Sequence, residues 1–134
     1  MKYINKILSI EKVKVQDIAK QFGTPIYCYS YKQLRENIIY FKKKFKSFSP
    51  LICFAIKSNT NVNLLKEIRK LGLGADVVSI GELMTALKAG IDPKKIVFSG
   101  VGKTSSEISY AIEKKILLIN AESKSEINEI EKIA

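Results

Sequence analysis

A chain of 134 residues, 46% hydrophobic and 27% charged, has the makeup of a folded domain and argues against collagen, long disorder or a disulfide-stapled miniprotein. No apolar run reaches the ~18–20 residues of a membrane-spanning helix, and with no histidine the chain offers no Ser–His pair, His-ligated zinc or imidazole base. The net charge of +10 invites a nucleic-acid partner, but 21 of the 23 basic side chains are Lys, scattered along the chain, whereas bidentate recognition leans on Arg.

The opening MKYINKILSIEKVKVQ has a short apolar patch but no small-residue cleavage site, so it reads as no signal peptide and the expected location is the cytoplasm. Val15, Ile18, Ala19 and Phe22 recur at helical spacing, and Gly23 is expected to stop that helix in the αL region. Thr24-Pro25 opens an extended run, Ile26 to Tyr29. Ser30 is the expected N-cap of a second helix reaching about Phe45, with Leu34, Ile38 and Phe41 on one face. Lys42, Lys43, Lys44 and Lys46 read as the solvated side of that helix. Ser49-Pro50 breaks the chain. Cys28 and Cys53, in apolar stretches without ligand-like spacing, read as buried small hydrophobes.

From residue 51 a strand–helix alternation sets in. The continuous apolar run Leu51–Ile56 reads as a strand buried on both faces, and Ala75–Val78, Lys95–Ser99 and Ile116–Asn120 read as the next three strands. Helical spacing follows each: Val62 to Leu71, Gly81 to Ala89, Ser105 to Lys115, and Lys124 onward. Ser79/Glu82, Thr104/Glu107 and Ser123/Glu126 read as capping boxes. Such alternation requires a parallel sheet covered by helices, in an open doubly wound sheet or a (β/α)8 barrel. The fold class expected is α/β. Four units are half of a barrel, and no C-cap follows Ile133-Ala134, so the chain is expected to be part of a longer protein.

Three places carry possible chemistry. Lys57 closes the apolar strand FAIK, at the strand end where active sites of parallel α/β folds assemble. A partly desolvated lysine there is neutral part of the time and attacks carbonyls to form a Schiff base; a lysine that merely ends a strand and reaches solvent fits the position too. Asp76, in the next strand, falls near the same end, where it pairs with Lys57, orients what Lys57 binds, or hydrogen-bonds its own loop. Gly100-Val101-Gly102-Lys103-Thr104 looks like a phosphate loop, but a Walker spacing needs glycine where Val97 stands. Its glycines serve a tight turn, and Thr104 caps the next helix.

Phe54-Ala55-Ile56-Lys57-Ser58-Asn59, with Leu64-Leu65, Ile68 and Gly72 behind it, resembles the pyridoxal-phosphate attachment motif of the ornithine/diaminopimelate/arginine decarboxylase family of alanine-racemase-like fold. GLGADVVSIGEL (72–83), IVFSGVGKT (96–104) and FGTPIYCY (22–29) resemble its diaminopimelate-acting branch. The resemblance implies the first part of a (β/α)8 barrel over residues 31–134, after a lead-in at 1–30. It also implies a further β-rich domain and a homodimer with active sites at the subunit interface. The cofactor implied is pyridoxal 5'-phosphate, with Lys57 attaching it, Asp76 lining its site and Ala55 packing beside it; no metal is implied. The activity implied is decarboxylation of meso-2,6-diaminopimelate to L-lysine and CO2, with phosphate and ring contacts beyond residue 134 and the 134-residue chain inactive alone. Another decarboxylase, an alanine racemase or a cofactor-homeostasis protein of the same fold stays open, as does a basic non-enzymatic binding module.

Overall fold

In a computed structural model that describes residues 1–134, the chain forms two units, residues 1–49 and 50–134. The first begins with strands that helical spacing did not anticipate: β1 (Lys2–Ile4), β2 (Ile7–Ile10) and β3 (Val13–Lys14), antiparallel in that order. Asn5 (φ 49) and Lys6 (φ 65) make the two-residue turn between Ile4 and Ile7, a place where Asn-Gly is the usual signal. Lys6 stands where the glycine would, which hid the hairpin.

Helix α1 (Val15–Phe22) forms as its spacing predicts. Gly23 closes it at φ 81 and ψ −176, so the expected αL stop is replaced by a backbone region open essentially to glycine alone. After a cis Thr24–Pro25 bond, residues 26–29 join neither sheet, and Tyr27 and Tyr29 are exposed. Cys28 is exposed too and Cys53 only half-buried, so neither is the buried hydrophobe expected. Helix α2 (Tyr31–Lys44) is capped by Ser30 Oγ, which accepts from the Gln33 N–H and donates to Glu11 Oε1 at 2.7 Å. The Lys32 N–H donates to the same carboxylate, and with the Ser30 hydroxyl it holds Glu11 below the usual carboxylate range. Phe41 and Phe45 pack with ring centroids 4.7 Å apart.

The second unit is the α/β half: β4 (Cys53–Ala55), α3 (Val62–Lys70), β5 (Gly74–Val77), α4 (Ile80–Lys88), β6 (Ile96–Phe98), α5 (Ser105–Glu113), β7 (Leu118–Ile119) and α6 (Lys124–Ile133). The four strands are parallel, in the order β4-β5-β6-β7. This is the α/β succession of four βα units that the apolar runs predict, with shorter strands: Leu51, Ile52 and Ile56 lie outside β4. Ala75, Val77, Ile96 and Phe98 share a fully buried core with Leu65 and Ile68 of α3, Leu83 and Ala86 of α4, and Ile108 and Ala111 of α5. Each large apolar side chain buried there stabilises by about 1.5–3 kcal/mol. Alternate strand residues lie on the other face: Ala55 and Val97 are half-buried and Leu118 is 49% exposed. No helix is long and apolar enough to cross a membrane.

Helix ends show what local chemistry decides. Ser79, Thr104 and Ser123 all cap as expected, accepting the N–H of Glu82, Glu107 and Glu126. The reciprocal half holds only for Thr104. Glu82 accepts instead from the Val78 N–H and Glu126 from the Glu122 N–H, one residue further out, where each donor lies beyond its strand and in no ladder. At the other ends, α3 and α4 finish on Gly72 (φ 80) and Gly90 (φ 81), each followed by paired return hydrogen bonds. Helix α5 closes in the same way, through Lys115 N–H to Ile112 O and Ile116 N–H to Ala111 O, but with Lys115 at φ 54. A side chain in that conformation costs about 1–2 kcal/mol, part of which glycine's freer unfolded chain offsets. Lys115→Gly is therefore expected to stabilise the protein by about 0.5–1 kcal/mol, read as a higher urea midpoint at unchanged slope.

Candidate active site

The register of the parallel sheet brings two of the expected residues side by side. Ala55, the last residue of β4, pairs with Asp76 of β5, and Asp76 pairs in turn with Val97 of β6. Lys57 lies two residues beyond Ala55, not closing the strand but in a single 3-10 turn, Ile56–Ser58. The turn is fixed from below and behind: Ile56 is fully buried, Ser58 Oγ donates to Ala55 O at 2.7 Å, and the Asn59 N–H donates to Ile56 O. Asn59 then accepts from the Asn61 N–H, and Asn61 caps α3. The result is an exposed lysine on a tied backbone, its amine in no hydrogen bond or ion pair. Partial desolvation of Lys57 was expected; here the side chain is exposed.

Asp76 does not bond its own loop. Its Oδ1 accepts from Ser99 Oγ at 2.6 Å, and Ser99 Oγ accepts from Asn120 Nδ2 at 2.9 Å. Ser99 and Asn120 are the residues just after β6 and β7, so a hydrogen-bonded chain runs along the C-terminal ends of three neighbouring strands. Sequence reasoning named Asp76 but missed both partners. The available signal was positional: each is the first polar residue after an apolar strand. Cys53 lies on the same face, two register pairs before Ala55 and Asp76, and burial followed by the Asp76 charge pushes its thiol up, keeping it protonated.

Lys103, within the loop dismissed as a phosphate binder, has a different role from the one that its neighbours suggest. Its side chain is 1% exposed, and Nζ donates to Gly100 O at 2.6 Å, Asn120 O at 2.8 Å and Glu126 Oε1 at 3.1 Å. Three acceptors use its three donors, which leaves none for a phosphate. The Glu122 N–H, with help from Lys103, holds the Glu126 carboxyl below its usual range against the effect of burial. Gly100 sits at φ 92, and a Cβ there would come within 3.3 Å of Val78 Cβ, so this sharp exit from β6 needs glycine on both counts.

Taken as a donor set, the site fits the carbonyl end of pyridoxal phosphate. Lys57 supplies an unpaired primary amine, Asp76 a carboxylate with Oδ2 open, and Ala55 a methyl in place of a bulkier group opposite Asp76. Lys103, by contrast, is buried and saturated.

Comparison with known proteins gives the family. Residues 31–134 match the family model described as pyridoxal-dependent decarboxylase, pyridoxal binding domain. Diaminopimelate decarboxylase of Aquifex aeolicus is 43% identical over 134 residues, all of this chain and 31% of that protein. The crystal structure of diaminopimelate decarboxylase from Helicobacter pylori complexed with L-lysine superposes with a TM-score of 0.85 at 43% identity, over 88% of this chain and 30% of that one. The enzyme of the same name from M. jannaschii gives 0.95 at 34% identity, over 98% and 32%. The chain thus spans about a third of the length of the relatives that it matches. With that family model covering residues 31–134, the chain belongs to the pyridoxal-dependent decarboxylases, within their pyridoxal binding domain.

Proposed function

We propose that this chain is part of a diaminopimelate decarboxylase, which converts meso-2,6-diaminopimelate to L-lysine and CO2. Residues 1–30 lead into the barrel and 31–134 supply its first four βα units; the whole protein works as a cytoplasmic homodimer on a small amino-acid substrate, without nucleic acid or membrane. The observation that carries the reading is the free Lys57 amine two residues past the Ala55–Asp76 pair, inside a matched pyridoxal binding domain. The L-lysine bound to the Helicobacter relative supports the substrate class.

Lys57 would hold the cofactor covalently through Nζ, and the tied turn beneath it limits where that bond can lie. Asp76 would present a carboxylate whose direction Ser99 and Asn120 fix in advance, so little reorganisation is needed when a cation develops beside it. When bound, pyridoxal phosphate supplies the sink for the electron pair left behind as CO2 departs. Because the product is L-lysine, the carboxylate lost is that of the D-configured carbon, and a proton replaces it there.

The test is CO2 release from meso-2,6-diaminopimelate by the holoprotein, with chiral analysis of the product. We expect one equivalent of L-lysine per CO2. Racemisation of alanine, or CO2 release from ornithine or arginine alone, would keep the cofactor reading and overturn the substrate.

A further inference from the structure

We propose that Lys103 is the positioning residue that fixes the Asp76 carboxylate, acting through Ser99 and Asn120; this rests on reading Asp76 as a cofactor-site carboxylate. The argument starts from the cost of burying an ammonium. A side chain 1% exposed is tolerated when every donor is used, and Lys103 spends its donors on the backbone ends of two strands and on Glu126.

Those two ends adjoin, or are, the residues that reach Asp76. Gly100 directly follows Ser99, and it is held at both poles: its O accepts from Lys103, while its N–H donates to Glu122 Oε1 at 3.2 Å. Ser99 itself is held on the strand side by its N–H to Val77 O at 2.8 Å. Asn120 has its N–H on Phe98 O and its own O on Lys103. It follows a strand of two residues at the end of the sheet order, so beyond its N–H no ladder bond orients it. Lys103 replaces that missing partner. One ammonium thus locks the backbones of Ser99 and Asn120 to each other, and their side chains carry the constraint to Asp76 Oδ1.

The test compares wild type, Ser99→Ala and the double variant Lys103→Met/Glu126→Gln, which removes both buried charges together and strands neither. In the apoprotein, NMR is expected to show the Asn120 side-chain amide falling to the flexible range of order parameters, below about 0.6, in the double variant. The Asp76 carboxyl carbon should shift in the same direction as in Ser99→Ala, while amides of β5 and β6 keep their exchange protection. In the holoprotein, the pH midpoint of the cofactor's visible absorption should move by about half a unit or more in both variants. An Asp76 carbon that moves in Ser99→Ala but stays put in the double variant overturns the proposal. Where the double variant loses β5 and β6 protection, Lys103→Arg carries the test, since a planar guanidinium cannot serve the same three acceptors from one nitrogen. An unmoved Asp76 carbon there overturns the proposal as well. Apoprotein shifts as expected, with no cofactor uptake by the wild type, overturn the cofactor reading and leave the link from Lys103 to Asp76 standing.

Discussion

Replacing Lys57 by alanine is expected to lower diaminopimelate turnover by the holoprotein about a thousandfold or more, equivalent to about 4 kcal/mol of lost barrier reduction. Stability should move by no more than about 0.5 kcal/mol, because the side chain is exposed and engages no partner. That separation is what makes the variant informative: the fold is untouched and the amine is gone. Lys57 and Lys103 both lie in loops that follow strands of the parallel sheet, and their environments differ in kind. Lys103 is enclosed by three acceptors and has no freedom to approach a carbonyl, whereas the Lys57 amine is exposed on a tied backbone two residues past the Ala55–Asp76 register pair. Borohydride treatment of the wild-type holoprotein, followed by peptide mapping, should therefore place the cofactor on Lys57. Label on another lysine, or a Lys57→Ala protein within tenfold of wild-type turnover, would remove Lys57 from the mechanism.

The parts legible in the sequence were those where one local signal sufficed. Apolar strands followed by Ser79, Thr104 or Ser123, or by a polar loop before Val62, and then a helical spacing leave little choice but βα units, and all four form. Lys57 and Asp76 stood out because a charge interrupts an apolar run. What stayed hidden needed partners distant in sequence. The β1–β3 hairpins use Lys6 and Glu11 at positive φ, where no turn preference marks them. Ser99 and Asn120 look like ordinary loop residues until the register sets them against each other and against Asp76, 23 residues from Ser99. Lys103 is the sharpest case: among 21 lysines nothing in its neighbours distinguishes the buried one. Its acceptors lie on Gly100, Asn120 and Glu126, and only the stacking of the third and fourth βα units assembles them.

Gly74→Ala is expected to destabilise the protein by about 2–3 kcal/mol, while Gly81→Ala stabilises it by about 0.5–1 kcal/mol. The two glycines differ in what surrounds them. A Cβ on Gly74 would collide with the Lys95 carbonyl oxygen and lie 3.1 Å from its carbon and 3.0 Å from Cys53 Sγ, whereas at Gly81 the nearest atom is Ser79 Oγ at 3.9 Å. The Cys53 sulfur can rotate; the Lys95 carbonyl cannot, because the next residue, Ile96, is fully buried and begins β6. Neither substitution meets a positive φ, so sterics decide the first and helix propensity the second, Gly81 lying within α4. Urea unfolding followed by circular dichroism reads both as opposite shifts of the midpoint. The consequence reaches the site, since β5 carries Gly74 and Asp76 on one face and β6 leads to Ser99. Forcing β6 away at Lys95 loosens the spacing that the 2.6 Å Asp76–Ser99 bond depends on, so Gly74→Ala should also shift the Asp76 carboxyl carbon as Ser99→Ala does. A Gly74→Ala protein as stable as wild type would mean that the backbone before β6 yields, and that strand spacing there does not hold Asp76 in place.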